Sequence, residues 1–140
     1  MRLDLYQIET GRIAAEQGRL LDEARARLSA GGTLTPLEES GVLHALQLLI
    51  ENAIGKAKNL LKAANEPVPV SAHDAFVQLA RHGLIEAAQP WNSIVGIRNR
   101  IVHDYMNIDL AVIRSLVLED RYRFVVDFLR HPINLSDSRK

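Results

Sequence analysis

The stretch VLHALQLLIENAIGKAKNLLKA, Val42 to Ala63, decides the fold class. Val42, Ala45, Leu46, Leu49, Ile50, Ala53, Ala57, Leu60 and Leu61 recur at three- and four-residue intervals, which places them on one wide stripe of an α-helix. An apolar stripe of that length needs packing partners from end to end. The start of the helix is marked too: Thr35 can cap it, Pro36 suits the first helical position, and Glu38 stands where a capping-box carboxylate reaches back. Pro67 and Pro69 in NEPVPVS, Asn65 to Ser71, end it.

The flanking sequence supplies the partners. A first helix over Leu3 to Ser29 turns Ile13, Leu20, Leu21, Ala24 and Leu28 inward and stops at Ala30-Gly31-Gly32. A shorter one follows over Ala72 to His82, capped by Ser71, burying Phe76, Leu79 and Ala80 and closing at Gly83. A fourth is expected from about Glu86 to His103, with Pro90 forcing either a start near Gln89 or a kink. Asp109 caps a fifth that carries Leu110, Ile113, Val117, Phe124 and Phe128 inward and ends at His131-Pro132. No window alternates as a strand does. The expected architecture is all-α: an antiparallel helical bundle of about five helices in a single domain over residues 1–132, with a flexible tail over 133–140.

Composition narrows the function. With no cysteine among 140 residues there is no disulfide framework and no thiolate ligand or nucleophile, and the cytoplasm is the expected location. The N-terminus lacks the unbroken apolar core of a signal peptide, and no apolar run reaches the about 20 residues that cross a bilayer. The five histidines are too dispersed for metal-ligand spacing, so neither a metal nor a cofactor is expected. Seventeen Lys and Arg balance seventeen Asp and Glu, so nucleic-acid binding would have to come from a local basic cluster, for which Arg81, His82, Arg98 and Arg100 are the candidates.

The chemistry concentrates in GIRNRIVHDY, Gly96 to Tyr105. Imidazole exchanges a proton near neutral pH. A guanidinium offers a fixed fork of donors to phosphate oxygens, including charge that develops during reaction, and an asparagine orients a ligand or the histidine. That set suffices to cleave RNA, where the substrate's own 2′-hydroxyl is the nucleophile. On a helix Asn99 and His103 share a face, while Arg98 and His103 stand about 140° apart, so the arginine either folds over the helix end or a second copy of the helix completes the cleft. The same residues also read as an ordinary polar helix terminus.

Arg98, four residues, His103, one residue and Tyr105 together resemble the R-x4-H-x-Y signature of the HEPN superfamily, specifically its HepT-type toxins. ALQLLIENAIGKAKNLL, AFVQLARHGLI, IVGIRNRIVHDY and NIDLAVI follow in that family's order and approximate spacing between Leu43 and Ile113. Pro90 and Trp91 are not features of the pattern. The resemblance implies a homodimer of helical bundles acting as a metal-independent RNA endonuclease, with His103 as acid and base, Arg98 as clamp on the transition state and Asn99 as an orienting group. It further implies an MntA-like nucleotidyltransferase antitoxin as partner, which would attach AMP to Tyr105 and place bulk and negative charge where RNA must enter. Two other readings use the same residues: a non-cleaving subunit that holds RNA or a nucleotide for a nucleotidyltransferase, and a plain helical interaction module.

Overall fold

A capping box starts the helix Pro36–Ala63. The Thr35 hydroxyl accepts from the Glu38 N–H and the Glu38 carboxylate accepts from the Thr35 N–H, which satisfies two donors the first turn leaves free. The structure, a computed structural model, describes residues 2–135. Among them are six helices: α1 (Leu3–Ser29), α2 (Pro36–Ala63), α3 (Ala72–Arg81), α4 (Trp91–His103), α5 (Leu110–Leu118) and α6 (Arg123–Arg130), with one 3-10 turn at Tyr105–Asn107. No strand occurs among the described residues. None of the described helices is long and apolar enough to cross a membrane.

The expected stripe on α2 is buried throughout, and α2 packs against α1, α3, α4 and α6. Two glycines let α1 approach α6 closely: a Cβ on Gly11 would stand 3.1 Å from the Leu129 carbonyl oxygen, and one on Gly18 would stand 3.4 Å from the Val126 methyls. Leu20 departs from the expected pattern. It is 53% exposed, and Ala14, Gly18, Leu21 and Ala24 form the buried stripe instead.

The helix expected from Asp109 to His131 is two helices, because the chain turns at Asp120, whose φ of 58° is left-handed. The turn changes which side chains face inward. Tyr122, Val125, Val126 and Leu129 are buried, while Phe124 and Phe128 are half-buried. It is held by a cluster that composition does not reveal: the Tyr122 hydroxyl donates to Asp22 on α1, and Arg123 pairs with both Asp22 and Asp120. Burial works against an ionised Asp22, but the bonds from Tyr122 and Arg123 prevail and hold its pKa below the usual carboxylate value.

α4 begins at Trp91, immediately after Pro90. The indole stacks on Phe76 of α3 at 4.0 Å and meets Phe124 and Phe128 of α6 edge-on at 4.8 and 5.1 Å, geometries that aromatic quadrupoles favour. This cluster sets where α4 lies, and so where its C-terminal half points. Of residues 133–140, Ile133 exchanges two hydrogen bonds with the Gln7 amide, and Ile133 and Leu135 pack against the core. Residues 136–140 lie outside the described residues.

Candidate active site

α4 carries the site by simple periodicity. Trp91, Ile94, Val95 and Ile101 are its buried residues, and Arg98 rises from the same inward side, four residues after Ile94. Asn92, Gly96, Asn99 and His103 follow one another at four-, three- and four-residue steps along the outer side. Asn99 and His103 are both exposed, and His103 is the last residue of the helix. With Arg100 it puts two basic side chains in the last turn, where the partial negative charge of the helix end favours them.

Arg98 is half-buried, and its Nε is shut off from solvent without a hydrogen-bond partner. No carboxylate among the described residues pairs with it or with Arg100. A cation with its stem packed and its head unpaired is a ready anion site. The helix stops at Asp104, whose carboxylate accepts from the Asn107 amide at 2.7 Å and whose carbonyl accepts from the Asn107 N–H at 3.0 Å. That pairing occupies the carboxylate next to His103 in the chain. It also holds the 3-10 turn in which Tyr105 stands 49% exposed and Met106 91% exposed. Nearby Val102 and Val112 are exposed as well.

The expected residues are thus neighbours on one helix end without being joined. Arg98, Asn99 and His103 make no hydrogen bonds to one another among the described residues. Arg100 lines a hollow of about 400 Å³ between α4 and α5, and Arg81 lines another of about 450 Å³ between α3 and the start of α4. Arg98, Asn99, His103 and Tyr105 line neither. The basic side chains are therefore spread apart rather than gathered in one cleft. Among the described residues no three His, Asp or Glu side chains gather as a metal site. On α2, His44, Glu51 and Lys58 recur at seven-residue spacing; His44 and Glu51 are exposed, and Lys58 donates to the Val70 carbonyl. A phosphate clamp and a proton-transfer group at an open helix end fit phosphodiester chemistry.

Sequence reasoning missed three features. Lys56 is fully buried, its ammonium donating to the Phe128 and His131 carbonyls at the end of α6. The Asp104–Asn107 pair was unexpected, as was the orphaned indole N–H of Trp91. For Lys56 a signal existed in its place inside the apolar stripe of α2, between Ala53 and Ala57.

A sequence profile of the family Ribonuclease HepT-like matches residues 15–131. The mRNA nuclease HepT of Shewanella oneidensis is 33% identical over 96 residues, a match covering 64% of this chain and 70% of that one. Among solved structures, the tri-AMPylated HEPN toxin of Shewanella oneidensis in complex with MNT antitoxin superposes with a TM-score of 0.73 at 21% identity, over 89% of this chain and 96% of that chain. A toxin–antitoxin structure with AMP-PNP gives a TM-score of 0.63 at 21% identity, over 85% of this chain and 98% of that chain.

Proposed function

Because the chain belongs to the Ribonuclease HepT-like family, we infer that it is an RNA endonuclease, the toxin of a toxin–antitoxin pair, and that Arg98, Asn99 and His103 carry its chemistry. The observation that carries this assignment is Arg98, a packed and unpaired guanidinium on the helix that ends in an exposed histidine. The RNA 2′-oxygen attacks the adjacent phosphorus as its proton passes to imidazole. The bond to the 5′-oxygen breaks and that oxygen takes up a proton, leaving a 2′,3′-cyclic phosphate and a 5′-hydroxyl. Arg98 holds the oxygens whose charge grows on the way, and Asn99, one turn before His103, orients the imidazole or the ribose. No step draws on a metal.

The site works as a homodimer in this reading. Arg98 and His103 leave α4 about 140° apart, and a second copy of α4 brings an arginine and a histidine to the same phosphate. Gly96 supports this. It sits on the His103 side of α4, and a Cβ there would meet nothing within 4 Å, so its missing side chain answers no need within the protomer and leaves room for a close neighbour.

The antitoxin is a nucleotidyltransferase that transfers AMP to the Tyr105 hydroxyl. Two residues from His103 and half exposed, Tyr105 is reachable, and each attached nucleotide sets an anion against the phosphate path. Arg81 and Arg100, each on its own hollow, add basic contacts to the RNA. The compartment is the cytoplasm, where such substrates are met.

The test is cleavage of total RNA in EDTA, beside a His103→Ala control. Cleavage that needs His103 and leaves cyclic phosphate ends is the expected result. Equal activity of the two proteins removes the mechanism, and no activity from wild-type protein shown by mass to be free of AMP favours a subunit that holds RNA without cutting it.

A further inference from the structure

We propose that the hollow between α3 and the start of α4 seats one unpaired base of the RNA strand, a short distance from the phosphate that is cut; the proposal rests on the ribonuclease reading. The hollow is about 450 Å³ and is lined by Phe76, Ala80, Arg81, Glu86 and Trp91, with Asn92 at the rim, a size in the range of small-molecule sites. Its aromatic wall is already rigid, because Trp91 stacks on Phe76 and is only 6% exposed.

Within that wall the indole Nε1–H is buried and has no acceptor among the described residues. Buried donors without partners are uncommon in folded proteins and ask what satisfies them. Arg81 and Glu86 are both exposed and join no ion pair among the described residues. The lining itself offers an apolar surface, one free carboxylate and one free guanidinium, and a small shift of the Trp91 indole adds its buried donor.

A nucleotide answers all four. Ring nitrogens and carbonyl oxygens of a base accept from the indole N–H, exocyclic amines donate to Glu86, the ring covers the apolar wall, and the strand phosphate meets Arg81. An apolar peptide side chain leaves the indole N–H and Arg81 unmatched, and a bare phosphate leaves the aromatic wall uncovered. Because the indole is stacked on Phe76 and edged by two phenyl rings, the base meets an edge and a hydrogen bond rather than joining a stack. The position suits an RNA strand: Trp91 and His103 are the two ends of α4, twelve residues or about 18 Å apart along its axis.

Trp91 is the only tryptophan in the chain, so its emission reports the hollow directly. The His103→Ala protein is titrated with short single-stranded RNAs that are identical except for one abasic ribose walked along the strand. The expected result is that the parent RNA shifts Trp91 emission, and that a single abasic position removes the shift and weakens binding about five- to tenfold, the change expected for one lost hydrogen bond. With catalytically competent protein, Trp91→Phe keeps the aromatic packing but not the N–H, and is expected to raise KM by a similar factor with kcat held. Arg81→Ala, at an exposed position, is expected to do the same without touching the core.

A flat abasic walk alongside normal His103-dependent cleavage overturns the seat and leaves the ribonuclease reading standing. A walk that singles out one position, in a chain whose wild type does not cleave, removes the ribonuclease reading and keeps the seat. Emission that answers to the nucleotidyltransferase and not to RNA assigns the hollow to the protein partner and overturns the proposal.

Discussion

Replacing Lys56 by methionine tests the energetics of the core in a way that contacts alone do not settle. Lys56 is fully buried, and burial pulls its pKa from the usual 10.5 to about 8, against the two carbonyls that favour the ammonium. Between pH 8 and 10.5 the unfolded chain therefore holds a proton at this position that the folded chain has lost, so the lysine's contribution to stability rises with pH across that window. A depression of this size corresponds to about 3 kcal/mol at about 1.4 kcal/mol per pKa unit. At pH 7 the methionine removes the cost of a buried charge but strands the Phe128 and His131 carbonyls at roughly 1 kcal/mol each or somewhat more, so the two proteins should lie within about 2 kcal/mol of each other. By pH 10.5 the wild type should have gained about 3 kcal/mol relative to Lys56→Met. Urea unfolding followed by far-UV circular dichroism at half-unit pH steps from 7 to 10.5 measures the difference, in which the other titrating groups, Tyr122 included, cancel. A difference that stays flat or shrinks over that range refutes the reasoning.

Tyr105→Phe should cut RNA like the wild type but resist its nucleotidyltransferase, read as AMP incorporation by mass and growth arrest on co-expression; a variant still neutralised would move the acceptor elsewhere. Gly96→Ala should stabilise the protomer by about 0.5–1 kcal/mol, since helical alanine costs less than glycine and its methyl meets nothing. Gly11→Ala should destabilise by roughly 1–3 kcal/mol, because the contacting atom is the Leu129 backbone oxygen; thermal melts of the two variants should move in opposite directions. Asp22→Ala should cost roughly 1–3 kcal/mol by leaving the buried Tyr122 hydroxyl without its acceptor. In the wild type, the stability from Asp22 is present above the unfolded carboxylate pKa and is lost as pH falls through its lower folded value, a slope that acid titration of the variant should lack.

The legible parts of this fold are those where one local signal decides. The capping box at Thr35 and Glu38, the stripe on α2 and the stop at Ala30–Gly32 each predict what is found, because helix ends and apolar faces depend on neighbours three or four residues away. The break at Asp120 was not legible. The turn is held by Arg123, which pairs with Asp120 beside it and with Asp22 about a hundred residues earlier in the chain, and an aspartate without glycine or proline gives little warning of a left-handed turn. Leu20 shows the converse failure: the periodicity allowed two faces for α1, and close approach of α6 at Gly11 and Gly18 selected the one with smaller residues. At the site, the order of Arg98, Asn99, His103 and Tyr105 along the chain is what motivates the proposed chemistry, and helical geometry gives their angular relation. The indole N–H and the Asp104–Asn107 bond depend on packing that no short window contains.

The angle between Arg98 and His103 bears on how toxicity should scale with expression. If two protomers share the catalytic set as proposed, activity depends on encounter between two chains, and at levels below the dimer dissociation constant the rate grows with the square of the amount made. A few stray copies are then nearly silent, and a modest rise in synthesis gives a disproportionate effect. The proposed attachment of AMP to Tyr105 gains from the same arithmetic, because in the proposed dimer each modified protomer that joins an unmodified one spoils a shared site and removes more cleavage than its own share.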